Sequence, residues 1–334
     1  MKKATGSIWV IVEQLECRIR SVSLQLVGKA RLLADQLGVE VEAIFLGHEI
    51  EHQTDDIIAA GADRVFLGDA VRLRHYQPEI YTELITDLAL SKAPEILLIG
   101  STGMGREIAP LVAARLATGL TAHCIDLVLN EDLILEQRIP AYGGLLSIVC
   151  PEKRPQMATA ARGVFPQPDM DRKRKGEVVK LAVSDDPLER VETLKVVQEA
   201  AVGVPLESAG TVVAGGAGAG DAEGWQKIAE LAELLNAALG CTRPAVDEGW
   251  AGLETMVGQS GKMVSPELYI GVGLSGELQH MVGITGARMM IAINKDSNSP
   301  VFEQVDIGVV DDCREFIPAL IDKIKDYQEK LVTC

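Results

Sequence analysis

Short, wholly apolar runs alternating with helix-spaced stretches constrain this chain more than any other feature. Ile8-Trp-Val-Ile-Val12 is a continuous apolar strand, Val22–Leu37 carries apolar residues at helical spacing, and Val39–Leu46 returns to a strand pattern. Asp55–Ala60 predicts a short helix before the strand Arg64-Val-Phe-Leu67, and Glu79–Ser91 a longer helix. Glu95-Ile-Leu-Leu-Ile-Gly100 is a buried strand that Ser101-Thr-Gly-Met-Gly105 joins to a helix over Arg106–Leu116. A strand that is apolar at every position has both faces covered. In alternation with helices, that means a parallel sheet flanked by helices, an α/β fold. Leu133–Val149 reads differently, as antiparallel strands flanking Tyr142-Gly-Gly144.

At 334 residues the chain is most simply two domains. Pro166–Glu177 is polar and holds the run Asp171-Arg-Lys-Arg-Lys175, read as a solvated connection, with the stretch from about 166 to 205 as a flexible link. A second alternation starts at Gly210-Thr-Val-Val-Ala214. It continues through helix Trp225–Leu239, strand Glu267–Ile270, helix Gly276–Val282, strand Met289–Ile293 and helix Cys313–Leu331. The predicted domains are 1–205 and 206–334.

A formal net charge of −16 argues against a nucleic-acid backbone as partner, and aromatics at 4% leave few stacking platforms for single strands. The cysteines at 17, 124, 150, 241, 313 and 334 contain no C-x-x-C pair, so buried thiols in a reducing compartment are expected rather than a disulfide framework or a metal site. Met1-Lys-Lys-Ala-Thr-Gly-Ser7 runs straight into the first strand, and no apolar stretch is long enough to span a bilayer, which makes a cytoplasmic location the default and membrane insertion unexpected.

The second domain contains Leu268-Tyr-Ile-Gly-Val-Gly-Leu-Ser-Gly-Glu-Leu-Gln-His280, in which Gly271, Gly273 and Gly276 have the G-x-G-x-x-G spacing of a pyrophosphate-binding turn. A nicotinamide-dependent dehydrogenase would place this fingerprint in the first strand–helix unit, with an acidic residue about 20 positions on. Asp296 lies at that distance. However, Thr211–Leu239 precedes the motif, so the glycines sit in mid-sheet, and Asn294 is the polar group at the end of the next strand.

Upstream lie Cys241-Thr-Arg-Pro-Ala-Val-Asp-Glu-Gly-Trp250 and the turn Val257-Gly-Gln-Ser-Gly-Lys262, which suits the approach of a hydroxyl to a flat ligand. With Gly271–His280, Asn294 and Asp312, these segments closely resemble the C-terminal flavin domain of the electron transfer flavoprotein alpha subunit family. That family carries T/S-R-x-x-V-D, G-Q-T/S-G-K, L-Y-I-A-x-G-I-S-G-x-x-Q-H and A-I-N-K-D in this order. Glu95–Gly100, Ser101–Pro110, Ala113–Ala122 and Arg154–Thr159 extend the resemblance to the N-terminal half. The implied fold is an N-terminal, nucleotide-hydrolase-like parallel-sheet α/β domain that contacts a β subunit, followed by a doubly wound α/β domain that binds one FAD.

By this resemblance, Arg243 lies near the isoalloxazine ring, where a guanidinium would stabilise a negatively charged reduced flavin. Ser260 takes the position of the hydroxyl that bonds flavin N5, where many members have threonine, and His280 matches the histidine near the O2 edge. Thr242, Gln259, Ser275 and Gly276 are expected at the ring edge or phosphates, with backbone N–H groups at the helix start contributing, and Val257, Gly258, Gly261, Glu277, Leu278 and Gln279 are expected to bind the cofactor as well. Asn294 and Asp312 match positions on the ribityl–ADP side, and Cys313, next to Asp312, is expected to bind the cofactor too. Three departures stand out. Ala217 occupies the arginine position of the family's Gly-Gly-Arg-Gly, Gly271 replaces the usual alanine, and Arg162 comes one residue late in Ala160-Ala-Arg162.

The implied function is a redox carrier without bond-making chemistry of its own. Its partners would be an electron transfer flavoprotein β subunit and a flavin-dependent dehydrogenase such as an acyl-CoA dehydrogenase. The β subunit would hold AMP in a simple carrier, or a second FAD fed by NADH in an electron-bifurcating system. The alternatives are a nicotinamide-dependent dehydrogenase using residues 271–276, or a nucleotide-binding N-terminal module, although no P-loop is present.

Overall fold

The computed structural model describes residues 6–15, 17–141, 144–183, 191, 193–197 and 203–332. Two compact units emerge, Met1–Val197 and Gln198–Cys334.

The first unit runs β1 (Ile8–Val12), β2 (Gln14–Leu15), β3 (Arg18–Ile19), α1 (Ser21–Leu37), β4 (Val41–Gly47), α2 (Thr54–Ala59), β5 (Arg64–Asp69), α3 (Pro78–Lys92) and β6 (Ile96–Gly100). It continues through α4 (Gly103–Arg115), β7 (Leu120–Cys124), β8 (Asp126–Leu129), β9 (Leu135–Ala141), β10 (Gly144–Val149), β11 (Gln156–Ala160) and β12 (Glu177–Lys180). A seven-stranded parallel sheet has the order β12-β5-β4-β1-β6-β11-β7. Strand alternation assigns its two cores. Ile8, Val10 and Val12 pack with Val22, Leu26, Val27 and Ala30 of α1, while Trp9 and Ile11 pack with Ile85 of α3 and Ile108 and Val112 of α4. Gly38 ends α1 in the left-handed conformation, its N–H on the Ala34 carbonyl, and Pro78 opens α3. β8, β9 and β10 form a small antiparallel sheet. Tyr142 and Gly143 of the expected Tyr142-Gly-Gly144 turn lie outside the described residues.

The second unit runs β13 (Thr211–Gly215), α5 (Ala222–Leu234), β14 (Ala238–Cys241), α6 (Arg243–Asp247), β15 (Leu268–Val272), α7 (Leu278–Met281), β16 (Met289–Asn294), β17 (Ile307–Val310) and α8 (Cys313–Val332). Its sheet is parallel throughout, ordered β14-β13-β15-β16-β17. α5 and α8 bury Trp225, Ile228, Ile317 and Ile321 on one face; Leu206, Val257, Val264, Leu274 and Val301, from loops and short turns, cover the other. Both units are α/β with parallel sheets, as expected. Among the described residues, no helix is long and apolar enough to cross a membrane.

Three expectations need correction. The helix expected over Trp225–Leu239 stops at Leu234; Asn236 turns the chain at φ 49° and Ala238–Cys241 becomes an edge strand, because alanine and leucine satisfy either structure and only sheet pairing decides. The helix expected over Gly276–Val282 is a single turn. Of the link expected over about 166–205, the part at 166–183 is docked on the first unit: Asp171 N–H donates to the Ala59 carbonyl at 2.9 Å, Arg172 pairs with Asp56, Arg174 reaches Asp63 at 2.5 Å, and β12 pairs with β5. Residues 184–190, 192 and 198–202 lie outside the described residues.

Candidate functional site

The second unit adds strands on both sides of β13: first β14, then β15 and outward to β17. The carboxyl ends of β13 and β15 therefore meet where the strand order reverses, the crevice in which open parallel sheets hold ligands. A cavity of about 530 Å³ lies there, a volume suited to a sizeable cofactor.

Four connections build its wall. After β13, Gly216 N–H donates to the Val272 carbonyl at 2.9 Å and Gly218 N–H to the Gly273 carbonyl at 2.8 Å, locking the first glycine turn against the second. After β14, Pro244 pre-sets the first turn of α6, and Arg243 Nε donates to Asp247 Oδ1 at 2.7 Å, one helical turn on. This pair is largely exposed; the hydrogen bond and charge of Asp247 raise the Arg243 pKa further and leave its terminal nitrogens for another acceptor. Next, Val257 N–H donates to the Cys241 carbonyl, Lys262 N–H to the Met256 carbonyl and Gln259 N–H to the Gln279 carbonyl, which holds the tight turn carrying Ser260.

The fourth connection follows β15. Here the carbonyls are tied from behind. Asn294 Nδ2 donates to the Leu274 carbonyl at 2.8 Å, Ser299 Oγ and Val301 N–H both donate to the Ser275 carbonyl at 3.0 Å, and Gln304 Nε2 donates to the Gly276 carbonyl at 2.9 Å. Among the described residues, no acceptor pairs with the N–H of Leu274, Ser275, Gly276 or Glu277. A run of N–H groups whose carbonyls are held by the protein is an anion cradle, and a pyrophosphate is the group it suits.

His280 is buried on the cavity wall. Its Nδ1 is 2.9 Å from the Val257 carbonyl oxygen and its Nε2 2.6 Å from the Tyr269 hydroxyl. Burial lowers its pKa to about 4 against the opposing pull of the Val257 carbonyl, so the ring is neutral.

Of the residues expected at the site, Thr242, Arg243, Val257, Gly258, Ser260, Ser275, Gly276, Glu277, Gln279, His280 and Asn294 line this cavity. Gln259, Gly261, Leu278, Asp312 and Cys313 do not. Gln259 serves through its main chain in the Ser260 turn, and Gly261 packs so closely that a Cβ would fall 2.3 Å from the Met256 carbonyl. Leu278 faces outward on the one-turn helix, 42% exposed. Asp312 Oδ1 accepts from Arg314 N–H at the start of α8, and the Cys313 thiol donates to the Gly218 carbonyl behind the first glycine turn. Asn294 reaches the wall, but its amide is spent on Leu274, Ser299 and Asp296, so it shapes the turn. The wall also contains Ala217, Gly218, Pro244, Met256, Gly273 and Leu274. The glycine spacing pointed to Gly273; nothing in the spacing marks Met256, Ser299 or Gln304.

Residues 8–186 match the Electron transfer flavoprotein domain and residues 205–285 the Electron transfer flavoprotein FAD-binding domain. The chain is 41% identical over 321 residues to an electron transfer flavoprotein subunit alpha of Thermoanaerobacterium thermosaccharolyticum, covering 95% of this chain and 97% of that one. The chain belongs to the electron transfer flavoprotein alpha subunit family. A Clostridium acetobutylicum electron transfer flavoprotein subunit alpha is 41% identical over 329 residues, covering 95% and 96% of the two chains. The acryloyl-CoA reductase electron transfer subunit beta of Anaerotignum propionicum is 34% identical over 351 residues, covering 96% and 95%. Within an alpha subunit of this family, the glycine spacing at 271–276 marks the turn of an FAD-binding domain, on the central strand of its sheet.

Proposed function

We propose that this chain carries FAD as the α subunit of a heterodimeric electron transfer flavoprotein and passes electrons between a flavin-dependent dehydrogenase of acyl-CoA type and a further acceptor. The observation that carries this reading is the cavity at the strand-order reversal, with an N–H cradle along one wall and Arg243 and Ser260 along another. FAD, when bound, supplies the redox chemistry. The chain supplies the cradle for the pyrophosphate, a hydroxyl at Ser260 for the ring and a positive charge at Arg243. Residues 1–205 act as the scaffold that meets the β subunit, and 206–334 carry the cofactor. The unpaired buried thiols of Cys124, Cys241 and Cys313 suit a reducing compartment such as the cytoplasm. The acyl-CoA assignment draws support from the Anaerotignum relative's name.

Co-expression with a β-subunit-like chain should yield a yellow heterodimer. A heterodimer without flavin absorbance after FAD reconstitution overturns the proposal. Counting flavins divides the two versions: two FAD place the protein in an NADH-fed bifurcating pair, and one FAD with AMP makes it a simple carrier.

Arg243→Ala should lower the midpoint potential of the bound flavin. Loss of one partly screened charge at contact range corresponds to about tenfold in the reduced-to-oxidised ratio. Arg243→Lys should recover part of it, since the charge returns without the planar fork. Potentiometric titration reads both, and equal potentials in all three proteins would remove Arg243 from the tuning role.

A further inference from the structure

We propose that the Val257 carbonyl and the Tyr269 hydroxyl together hold His280 in a single neutral tautomer, with the proton on Nδ1 and Nε2 occupied by the hydroxyl, and so withhold this ring as a hydrogen-bond donor to whatever the cavity binds. The tautomer is a property of the chain alone; its effect on a flavin rests on the function proposed above.

The geometry leaves little choice. The Val257 carbonyl can only accept, so Nδ1, at 2.9 Å, carries a hydrogen. Nε2 lies 2.6 Å from Tyr269 Oη. Either the hydroxyl donates to a bare Nε2, or a doubly protonated ring donates to the hydroxyl oxygen. The second arrangement buries an uncompensated cation and leaves the hydroxyl hydrogen unpaired, because among the described residues Tyr269 Oη has no other partner. Tyr269 is 1% exposed and held in β15 as its second residue, so its hydroxyl cannot swing out to water. Among the described residues no charge acts on the ring: Val257 and Tyr269 hold its two nitrogens, Gly258 packs on the His280 and Gln279 main chain, and Tyr269 has the Cys241 thiol as its neighbour. The charged side chains of the cavity wall are Arg243 and Glu277. Both ring nitrogens thus face protein partners. His280 meets the cavity without a free N–H, and stabilisation of negative charge there falls to Arg243.

Tyr269 is accordingly a positioning residue, and the full chain with 15N-labelled histidine tests it. Long-range nitrogen–proton correlation should show His280 protonated at Nδ1 and bare at Nε2, unchanged from pH about 8 to about 5 and with or without FAD. A proton on Nε2, or titration near the ordinary histidine value, overturns the proposal. Tyr269→Phe keeps the ring and loses the donor to the neutral form, so the His280 pKa should rise by at least about one unit, a tenfold change. With Nδ1–H still held by the Val257 carbonyl, a freed Nε2 donates only once the ring is doubly protonated. In the FAD-loaded variant the flavin's midpoint potential should therefore match wild type at pH about 8 and rise only below the raised His280 pKa, by about 59 mV for a tenfold change in a one-electron couple. A variant that takes up a proton at Nε2 with the potential unaltered overturns the withholding role. If the variant does not fold, the wild-type spectrum still decides the tautomer. Should the wild type take up no FAD, the flavin reading fails while the nitrogen shifts remain a separate result.

Discussion

Gly276→Ala is expected to abolish FAD retention, whereas Gly271→Ala, five residues upstream in the same motif, is expected to leave it intact. Gly276 has φ +80°, and a Cβ there would lie 2.4 Å from Val301 Cα and 2.5 Å from Val301 N. Those are main-chain atoms of a segment that is itself bonded to the turn through Val301 N–H and the Ser275 carbonyl. Relief must therefore come from moving the turn, which carries away the N–H groups of Leu274–Glu277. Together with the cost of a left-handed φ for alanine, FAD affinity should fall at least about a hundredfold, or about 3 kcal/mol. Gly271 lies in β15 without a positive φ, and its nearest contact for a Cβ is the terminal Cδ2 of Leu274 at 3.0 Å, a flexible end that can shift. Less backbone freedom in the unfolded chain offsets that crowding, so stability should stay within about 1 kcal/mol of wild type. Fluorescence titration with FAD and thermal melting read both variants. Equal harm at the two glycines would make the G-x-G-x-x-G spacing a functional unit in the nicotinamide sense; harmlessness at both would show that the turn is not the cradle.

The same contrast shows what the sequence could express. Strands buried on both faces announce themselves as apolar runs, so Ile8–Val12 and Ile96–Gly100 were legible, as was α1 with its helical period. Edge and mixed-composition strands were not. β12 reads Glu-Val-Val-Lys within a charged stretch, and β14 shares its alanine and leucine with the helix before it; pairing with β5 and β13 defines them, and pairing is long-range information. At the site, motif residues that present main chain to the cavity could be found by spacing. The side chains that orient that main chain, Ser299 and Gln304, come from the segment after β16 and carry no local signature. Ser260, Arg243 and His280 were found through the resemblance. That His280 has no nitrogen to spare depended on Tyr269, which the sequence presents only as an apolar strand residue.

Glu13→Gln should stabilise the first unit at neutral and alkaline pH and do little in acid. Glu13 follows β1 at its carboxyl end, 1% exposed, where β1 and β6 are neighbours and the strand order of the first unit reverses. Its crevice is filled by the protein's own groups. The Thr102 hydroxyl donates to Glu13 Oε2 at 2.6 Å while accepting from Gly105 N–H at the start of α4, and Ser101 Oγ lies 3.0 Å from His123 Nδ1. Glu13 Oε1 has no partner among the described residues. Burial raises the Glu13 pKa from 4.5 to about 7, against the opposing Thr102 hydrogen bond and the charges of Arg20 and Arg162. Between those two values the folded state holds a proton that the unfolded state has released. Stability is therefore full below the unfolded pKa of 4.5 and declines as pH rises toward about 7, above which the loss is constant. At 1.36 kcal/mol per unit this would reach about 3 kcal/mol, and relaxation around the carboxylate brings the expected figure to about 1–3 kcal/mol. Glutamine keeps the shape and needs no proton. Hydrogen exchange at β1 and β6 amides confines the reading to the first unit. Protection in the variant should exceed wild type by that amount at pH about 8 and converge with it near pH about 4.5. A gain that is the same at both pH values would show that no proton is held by folding, and a loss at the higher one would show that Glu13 is held as a satisfied carboxylate, with the first unit built around its charge.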